Sequence, residues 1–368
     1  MIVLFIAKKY NFLSNTKRYF PLITTRYFLF TRTATLLQQQ ANQGIFMFAF
    51  KKIALAVSLA SATALATLAS GAAMASAPFA KTPAPGYFRL ALGAFEVTAV
   101  SDGTVDLPVE KLLVEPEEKT KLALSKSFLQ APLETSVNAY VINTGSKLVL
   151  IDTGAGVLFG PTLGKLVANL KASGYEPSQI DDIYVTHLHG DHVGGLVSNG
   201  ALAFPNAIVH ADKRDAEYWL SQANLDKATP DTKGLFQGAV ASLNPVIAAK
   251  KFVPFDGATE FVPGIKSYPT YGHTVGHTVY VVESEGKKLL LIGDLIHVGA
   301  VQFEHPEVTI AFDTNQKDAA SARDKIFKEA VKDGDLIGAA HIQFPGLGHL
   351  IKNGKGYEWL PVNYTQMH

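Results

Sequence analysis

The segment Thr186–His192 constrains this chain more than any other, because it places three histidines and one aspartate within six residues. A short apolar run precedes it, as expected of a buried strand, and a Gly-Gly pair follows it, which permits a tight turn. On a loop that leaves a strand, alternate residues such as His187 and His189 converge on one point, while Asp191 and His192 reach a second point nearby. The spacing therefore predicts two metal ions rather than one.

The side-chain types in this segment indicate which metals it would bind. Imidazole and carboxylate groups without a thiolate suit zinc first, with manganese, iron, cobalt or nickel as further candidates. The alternative interpretation is a polar loop of solvated histidines. It is disfavoured because four ligand-type side chains at this spacing seldom coincide without a metal.

Three later positions supply the further ligands that two metal ions need. His273 lies in a Gly-His-Thr-Val-Gly-His-Thr segment before a predicted strand, Asp294 follows a strand in a Gly-Asp pair, and His341 follows another strand. Each is weak evidence alone, since an aspartate at a strand end is often only a turn former. Together with the first cluster they predict a dinuclear site at the strand ends of an α/β layer.

Strand and helix patterns place the first cluster in its local context. We predict a strand at Phe95–Val100 that stops at a turn over Ser101–Gly103, a loop with one short helix over residues 106–134, a hairpin of Val137–Ile142 and Lys147–Ile151, and a helix from Pro161 to Gly174. The hairpin ends at Asp152, which is either a plain turn former or a carboxylate that orients a metal-bound histidine.

The N-terminal fifth of the chain divides into two pieces before the main domain. Residues 47–77 combine a basic start, an apolar run and an Ala-Ser-Ala end, which is typical of a secretory signal peptide. A membrane anchor is the alternative, disfavoured by the Ala, Ser and Thr content and the cleavage motif. Residues 1–46 are interpreted as an extension from an upstream start codon, with a transit peptide as the weaker alternative. Residues 78–368 are predicted to form a single domain.

Charge and cysteine content limit the partners and the compartment. Residues 1–77 contain eight Lys and Arg and no acidic residue, so the rest of the chain has 25 basic against 32 acidic residues. This negative balance argues against nucleic acid as a partner, since phosphate binding needs clustered cations. A signal peptide without any cysteine favours a bacterial periplasmic or secreted protein, with no stable membrane insertion after cleavage.

The order of these motifs resembles the metallo-β-lactamase fold superfamily over nearly all of residues 95–350. More narrowly, the chain is similar to the methyl parathion hydrolase group, in its Leu158–Thr162 segment, its His341 loop and its Gly356–Tyr364 ending. The resemblance implies an α/β fold, an αββα sandwich of two mixed β-sheets flanked by helices, with the dinuclear site at one edge. It also implies a homodimer.

The resemblance assigns a role to each histidine and aspartate of the motifs. The implied ligands are His187, His189 and His273 on the first ion, Asp191, His192 and His341 on the second, and Asp294 between the two. His277, the second histidine of its motif, is usually not a ligand in this superfamily. The remaining histidines are interpreted as ordinary polar or sheet residues: His210, His297, His305, His349 and His368.

Two divalent metal ions at the predicted site would support a hydrolytic mechanism. Metal coordination lowers the pKa of water from about 16 to about 7, so a bridging hydroxide would be the nucleophile at neutral pH. One ion would also polarise the P=O, P=S or C=O group of the substrate. Asp191 or Asp294 could pass a proton to the leaving group. A Gly-x-Ser-x-Gly nucleophile motif is absent from the sequence.

The resemblance implies a small-molecule substrate held by aromatic residues. Phe159, Trp219 and Phe236 match the aromatic pocket of the methyl parathion hydrolase group, although core packing is the alternative for each. The prediction is hydrolysis of organophosphate triesters or aryl esters with an apolar leaving group. Where that group has a basic residue, this chain has Leu112 or Leu113, with Lys111 beside them. This departure favours the alternative, a lactonase (including one acting on acyl-homoserine lactones) or an arylesterase.

Two further alternatives follow from the same motifs. A β-lactamase shares the first motif, but the position at which such an enzyme would have a cysteine is Asp294 here. A metal-binding protein without catalysis would keep the fold, and the complete set of seven candidate ligands argues against it.

Overall fold

Most strands of this chain carry apolar residues on both faces, as strands do when both sides of a sheet are covered. In the computed structural model, which describes residues 77–367, they form a six-stranded sheet, a seven-stranded sheet and a small hairpin. The first sheet contains, in spatial order, β1 (Tyr87–Leu92), β2 (Phe95–Leu107), β3 (Leu133–Asn143), β4 (Leu148–Ile151), β5 (Asp182–Tyr184) and β8 (Ile208–His210). The second contains β15 (Gly356–Pro361), β14 (Leu347–Asn353), β13 (Leu336–Gly338), β12 (Lys287–Leu291), β11 (Thr278–Ser284), β10 (Ile265–Pro269) and β9 (Glu260–Val262). The hairpin pairs β6 (Val197–Ser198) with β7 (Ala201–Leu202).

Both large sheets are mixed, as predicted. In the first sheet β5 runs parallel to β4 and to β8, and in the second β12 runs parallel to β13, while the other pairs are antiparallel. The carboxyl ends of neighbouring parallel strands meet at one edge of a sheet. The loops that leave β4, β5, β12 and β13 are therefore the loops that carry candidate site residues.

The helices lie between the strands in sequence. They are α1 (Val109–Leu112), α2 (Glu117–Lys126), α3 (Leu166–Ala172), α4 (Gly190–Val193), α5 (Lys213–Trp219), α6 (Gln222–Lys227), α7 (Lys233–Ala248), α8 (Gly299–Gln302) and α9 (Gln316–Asp333). The longest, α9, begins at the side chain of Asn315, which accepts from the Asp318 N–H, and ends at Gly334 in the left-handed conformation.

Three buried clusters show how the layers stack. The central cluster joins the two sheets, with Tyr140 and Val149 of the first packed among Tyr280 and Leu289 of the second. A second cluster covers the outer face of the first sheet with helical residues such as Leu170. A third cluster covers the outer face of the second sheet with α9. The order is helix, sheet, sheet, helix, so the predicted αββα sandwich is confirmed. Each fully buried Leu or Val contributes about 1.5–3 kcal/mol.

The prediction of a turn at Ser101–Gly103 is wrong. Strand β2 continues to Leu107, and its pairing with β3 shifts register between Ser101 and Gly103, which makes this segment a bulge. The carboxylate of Asp102 turns inward there and accepts N–H groups from Ala155, Gly164 and Leu166 at 2.9–3.0 Å. The Ser-Asp-Gly sequence, which is typical of turns, therefore forms a β-bulge here. The bulge directs the Asp102 carboxylate toward a loop from elsewhere in the chain, whose N–H groups it accepts.

Two boundaries also differ from the predictions. The helix predicted from Pro161 begins only at Leu166, since Gly160 and Gly164 have positive φ values of 102° and 76°. Residues 106–134 contain the two helices α1 and α2 rather than one, and strand residues at both ends. The predicted hairpin of β3 and β4 is confirmed.

The N-terminal predictions for residues 1–46 and 47–76 lie outside the described residues. Residues 83–367 belong to one compact unit, whereas residues 77–82 belong to another unit that is otherwise not described. Within residues 77–367, no helix combines the length and the apolar character that crossing a membrane would require.

Candidate metal centre

The loop after β5 presents the first four candidate ligands. The Thr186 N–H donates to Asp152 Oδ1 at 2.8 Å, which fixes the start of the loop, and α4 begins at Gly190. Asp191 and His192 therefore lie in the first turn of a short helix. After it, Gly195 passes so close to the loop of Asp152 that an added Cβ would lie 1.9 Å from the Thr153 carbonyl oxygen. Only glycine permits this approach.

The second sheet contributes the other three candidates from three loops. His273 follows β10, Asp294 lies in a single 3₁₀ turn after β12, and His341 follows β13. The structure brings all seven predicted groups together at the same edge of the sandwich. Their ligand atoms form two sets that share Asp294, and within each set they lie within 4.8 Å of one another.

The first set comprises His187, His189, His273 and Asp294. The His273 Nε2 atom lies 3.1 Å from His189 Nδ1 and 3.3 Å from Asp294 Oδ2, and His187 Nε2 lies 3.6 Å from the same oxygen. The second set comprises Asp191, His192, His341 and Asp294. His192 Nε2 and His341 Nε2 both lie 3.1 Å from Asp294 Oδ1. Each oxygen of Asp294 thus faces one set.

These groups fit a pair of metal ions. Tetrahedral zinc with ligands at about 2.0–2.1 Å keeps neighbouring ligand atoms about 3.3 Å apart, close to the 3.1–3.6 Å of the five pairs given above. Three atoms that face the two sets, His187 Nε2, His192 Nε2 and Asp294 Oδ1, are buried and make no hydrogen bond within the described part of the chain. Buried polar atoms are normally paired, and a cation in each set would pair with these atoms.

A second layer of contacts orients the imidazoles. The His192 Nδ1–H donates to Asp152 Oδ2 at 2.8 Å, and the His341 Nδ1–H donates to the Ser136 carbonyl at 2.9 Å. Asp152 has φ +60°, a conformation that Asp and Asn tolerate better than other residues. Such contacts leave the opposite ring nitrogen free to bind a metal. The structure thus brings Asp152 to the position expected of an orienting carboxylate.

The electrostatics of the cluster favour ion pairing. Burial favours the protonated form of Asp294, but the surrounding imidazoles, His192 foremost, hold the pKa of its carboxyl well below the usual value. Burial opposes protonation of the histidines, yet Asp294 and its neighbours raise the pKa of His273 to about 9 and that of His341 to about 10. Metal uptake should therefore release protons, because the ions replace them on these imidazoles.

Sequence reasoning missed two residues of this site. His297, interpreted as an ordinary polar residue, is buried and its Nε2 lies 3.0 Å from Asp294 Oδ2, so that interpretation is wrong. Asp313 accepts the His273 Nδ1–H at 2.8 Å and the Ile310 N–H at 3.1 Å. The only signal for His297 was its spacing of three residues after Asp294 within an apolar run. Asp313 lay in no motif.

The other histidines behave largely as predicted. His210 contacts Asp182 at 3.2 Å within the first sheet, and the His349 ring contacts the Asp335 carbonyl oxygen at 3.1 Å. His305 is exposed, and His368 lies outside the described residues. His277 belongs to neither ligand set.

His277 instead supports the turn of Asp294. Its Nε2 accepts the Asp294 N–H at 3.1 Å, and its Nδ1 bonds with the Thr270 hydroxyl at 2.8 Å. An imidazole that accepts at Nε2 must be neutral. Burial lowers the pKa of His277 to about 3, from 6.5 in an unfolded chain.

We expect this shift to make the metal-free protein less stable in acid. The unfolded chain binds a proton at His277 between pH 6.5 and about 3 while the folded chain does not. The stability due to the neutral imidazole is therefore complete above pH 6.5 and is lost as the pH falls. In His277→Gln the pH dependence of the free energy of unfolding should be shallower by up to about 1.4 kcal/mol per pH unit in this window. Urea titrations of metal-free protein at pH 4.5–6.5 measure this, and equal slopes would contradict it.

The three aromatic residues predicted for the substrate pocket differ in exposure. Trp219 and Phe236 are each only 3% exposed and pack together at a centroid distance of 4.6 Å in the cluster outside the first sheet. The Trp219 ring also contacts the His189 ring edge to face at 5.0 Å. Phe159 is 46% exposed and lies close to Gly190 at the ligand loop. Of these three, Phe159 is thus the accessible residue beside the centre, and the pocket itself stays a prediction.

Fold and site together define a class of protein. Residues 133–341, more than half of the chain, match the model of the metallo-beta-lactamase superfamily. The chain therefore belongs to the metallo-beta-lactamase superfamily, among its hydrolases. Among solved structures it is similar to the hydrolase AbOPH in the beta lactamase superfamily, with 35% identity, a TM-score of 0.73, and coverage of 77% of this chain and 100% of that one.

Lactonases also occur among the relatives. The structure of AidC, a dizinc quorum-quenching lactonase in complex with a product N-hexnoyl-L-homoserine, has 25% identity and a TM-score of 0.70, and covers 76% of this chain and 99% of that one. The N-acyl homoserine lactonase of Bacillus cereus is 27% identical over 62% of this chain and 87% of that protein. One from Bacillus sp. is 30% identical, but only over 44% of this chain and 64% of that protein. The finer assignment to the methyl parathion hydrolase group stays a prediction.

Proposed function

We propose that this protein is a dinuclear metal-dependent hydrolase that opens lactones and cleaves related esters. The observation that carries the proposal is the position of Asp294, whose two oxygens each face one set of metal-ligand side chains. A carboxylate in this position is suited to bridging two cations. The similarity to a dizinc lactonase over almost its whole length supports the same conclusion.

Two bound divalent ions, most simply zinc, would supply an activated water and would polarise the ester carbonyl. The residues of the chain perform the remaining tasks. His187, His192 and Asp294 are nearly inaccessible to solvent, which limits the access of bulk water. The Asp191 side chain is 25% exposed, so it lies at the mouth of the centre. Burial raises the pKa of its carboxyl, but His192 and His341 together lower it by more, so the group is ionised. It would accept the proton that the attacking water releases and pass it to the leaving alkoxide.

The surroundings of the centre favour a neutral substrate with an apolar part. Leu158 and Phe159 are partly exposed next to the ligand loop. Leu112 and Leu113 are buried in an apolar cluster with Ile310, whose N–H donates to the Asp313 carboxylate behind His273. A cyclic ester with an acyl chain suits such surroundings better than a charged phosphodiester does.

Aryl phosphotriesters are a second candidate substrate class. They are also neutral and carry an apolar leaving group that Phe159 could contact. The same centre would act on P=O in place of C=O, because both reactions need an activated water and a polarised oxygen. We place this activity second because the lactonase relatives support the first one.

A substrate panel on zinc-loaded protein tests the proposal. The panel contains an N-acyl homoserine lactone, an aromatic lactone, a p-nitrophenyl ester, an aryl phosphotriester and nitrocefin. We expect kcat/KM for the preferred lactone to exceed that for the phosphotriester by at least about 100-fold, a difference of about 2.8 kcal/mol. Nitrocefin should not be hydrolysed. Protein that holds two zinc ions but hydrolyses no lactone would contradict the proposal.

A further inference from the structure

The buried carboxylate of Asp215 lies outside both ligand sets, yet it contacts the backbone of both histidine loops. Asp215 is in the first turn of α5 and has no exposed surface. Neither the sequence motifs nor the reaction described above gives it a role. A buried carboxylate is costly unless every lone pair that faces the protein has a donor, so its partners indicate why it is present.

Three donors converge on this carboxylate, all from ligand loops. The Leu188 N–H donates to Asp215 Oδ2 at 2.9 Å, and the Thr274 hydroxyl donates to the same oxygen at 2.9 Å. The Gly276 N–H donates to Asp215 Oδ1 at 2.6 Å. Leu188 belongs to the loop of the first sheet, whereas Thr274 and Gly276 belong to the loop of the second sheet. One side chain therefore ties the two sheets together at the metal edge.

Two of the three donors are adjacent in sequence to the histidines of the first set. Leu188 lies between His187 and His189, and Thr274 follows His273 directly. The distance of 3.1 Å between His189 Nδ1 and His273 Nε2 spans the same two loops. Moving either loop away from Asp215 would change this distance. In the second set, His192 is oriented by Asp152 and His341 by the Ser136 carbonyl, so these two rings have other supports.

Two further contacts hold the His273 loop close to helix α5. A Cβ atom on Gly276 would lie 2.6 Å from the Asp215 backbone nitrogen, so glycine is required there. The helix that carries Asp215 is fixed at its start, because Asp212 accepts the Arg214 N–H at 2.8 Å and the Tyr271 hydroxyl at 3.2 Å. The helix thus holds the Tyr271–Gly276 segment at two points.

We propose that Asp215 is a positioning residue that sets the separation of the two histidine loops and so controls the affinity of the first metal set, but not that of the second. The proposal rests on the function proposed above, since it presumes that both sets bind ions. It concerns binding and does not require a particular substrate.

Stepwise zinc titration of metal-free protein against a chromophoric chelator tests the proposal, with Asp215→Asn compared to wild type. Asparagine retains the volume but can no longer accept from all three donors. We expect the Kd of one ion to rise about 10- to 100-fold, which is typical when a residue that orients a metal ligand is replaced. The Kd of the other ion should change less than about threefold. Anomalous diffraction from zinc-soaked crystals should show the loss of occupancy at His187, His189 and His273.

Asp102→Asn is the matched control. Asp102 is also a buried carboxylate with three backbone donors, but they belong to the Ala155–Leu166 segment and not to the histidine loops. Both variants should lose thermal stability, and only Asp215→Asn should lose the affinity of one ion selectively. Unchanged affinities in Asp215→Asn, or an equal loss at both ions, would overturn the proposal.

A second variant keeps the test decisive if Asp215→Asn does not fold. Thr274→Val removes one donor and leaves the carboxylate in place, so we expect the same selective change at about 3- to 10-fold. Unchanged affinities there would overturn the proposal. Wild-type protein that binds fewer than two ions would instead contradict the proposed function, so the two failures are distinguishable.

Discussion

Replacement of Asp294 by alanine is expected to lower kcat/KM for lactone hydrolysis by at least about 10³-fold, because metal ions supply several kcal/mol of charge stabilisation in the transition state. The physical reason is that both ligand sets depend on this one carboxylate. Its oxygens lie 3.1–3.6 Å from the Nε2 atoms of four of the candidate ligand histidines. Without it, the first set would contain no carboxylate and the second set would keep only Asp191.

The metal content of the Asp294→Ala variant should fall together with its activity, from two ions per chain to one or none. Asp335→Asn provides a control, since Asp335 is a buried aspartate at the opposite end of β13, where it pairs with Lys288 at 3.0 Å. That variant should keep both ions and most of the activity. Normal turnover with normal metal content in Asp294→Ala would show that Asp294 does not bridge.

Removal of the metal ions should abolish activity and also destabilise the fold. Ions that bind only the folded state stabilise it by about 4 kcal/mol when their concentration is a thousand times Kd. We therefore expect strong chelation to lower Tm by several degrees or more. Within the described chain, the buried atoms His187 Nε2, His192 Nε2 and Asp294 Oδ1 make no hydrogen bond that would compensate for the loss.

The experiment is a thermal melt and a lactone assay before chelation, after chelation, and after addition of zinc. Activity should return in full at two equivalents of zinc per chain and only in part at one. A protein shown by mass spectrometry to be metal-free, yet fully active, would exclude the metal-dependent mechanism. An unchanged Tm would show that the ions contribute nothing to the folded state.

The candidate ligands could be identified from the sequence because their signal is local. His187, His189, Asp191 and His192 lie on one loop, and a strand pattern precedes Asp294 and His341. Their convergence also follows from a general rule, since the ends of neighbouring parallel strands meet at one edge. The alternation of strands and helices predicted an α/β layer, whereas the αββα sandwich was predicted from the resemblance to the superfamily.

Residues whose contacts are far away in the sequence left no such local signal. Asp313 contacts His273 over 40 positions of sequence, and Asp215 contacts Leu188 over 27. Each is one aspartate among many, and only the tertiary structure shows which loop it faces. The misinterpretation of Ser101–Gly103 has the same origin, because the three donors to Asp102 come from a segment more than 50 residues away.

The three aromatic residues predicted for the pocket show a different limit of prediction from sequence. A buried aromatic and an aromatic in a pocket follow the same apolar pattern, so sequence could not separate Trp219 and Phe236 from Phe159. In the structure the first two are buried in the same cluster, while Phe159 keeps almost half of its surface exposed beside the ligand loop. Exposure, which depends on neighbours from other elements, is what distinguishes them.

Anomalous diffraction from metal-loaded crystals, collected above the zinc absorption edge, tests the central claim most directly. We predict two peaks about 3.5–4 Å apart, the separation usual in dinuclear sites. One should be bound by His187, His189 and His273 and the other by Asp191, His192 and His341, with Asp294 contacting both. A single peak, or peaks away from Asp294, would contradict the dinuclear centre on which the proposed function depends.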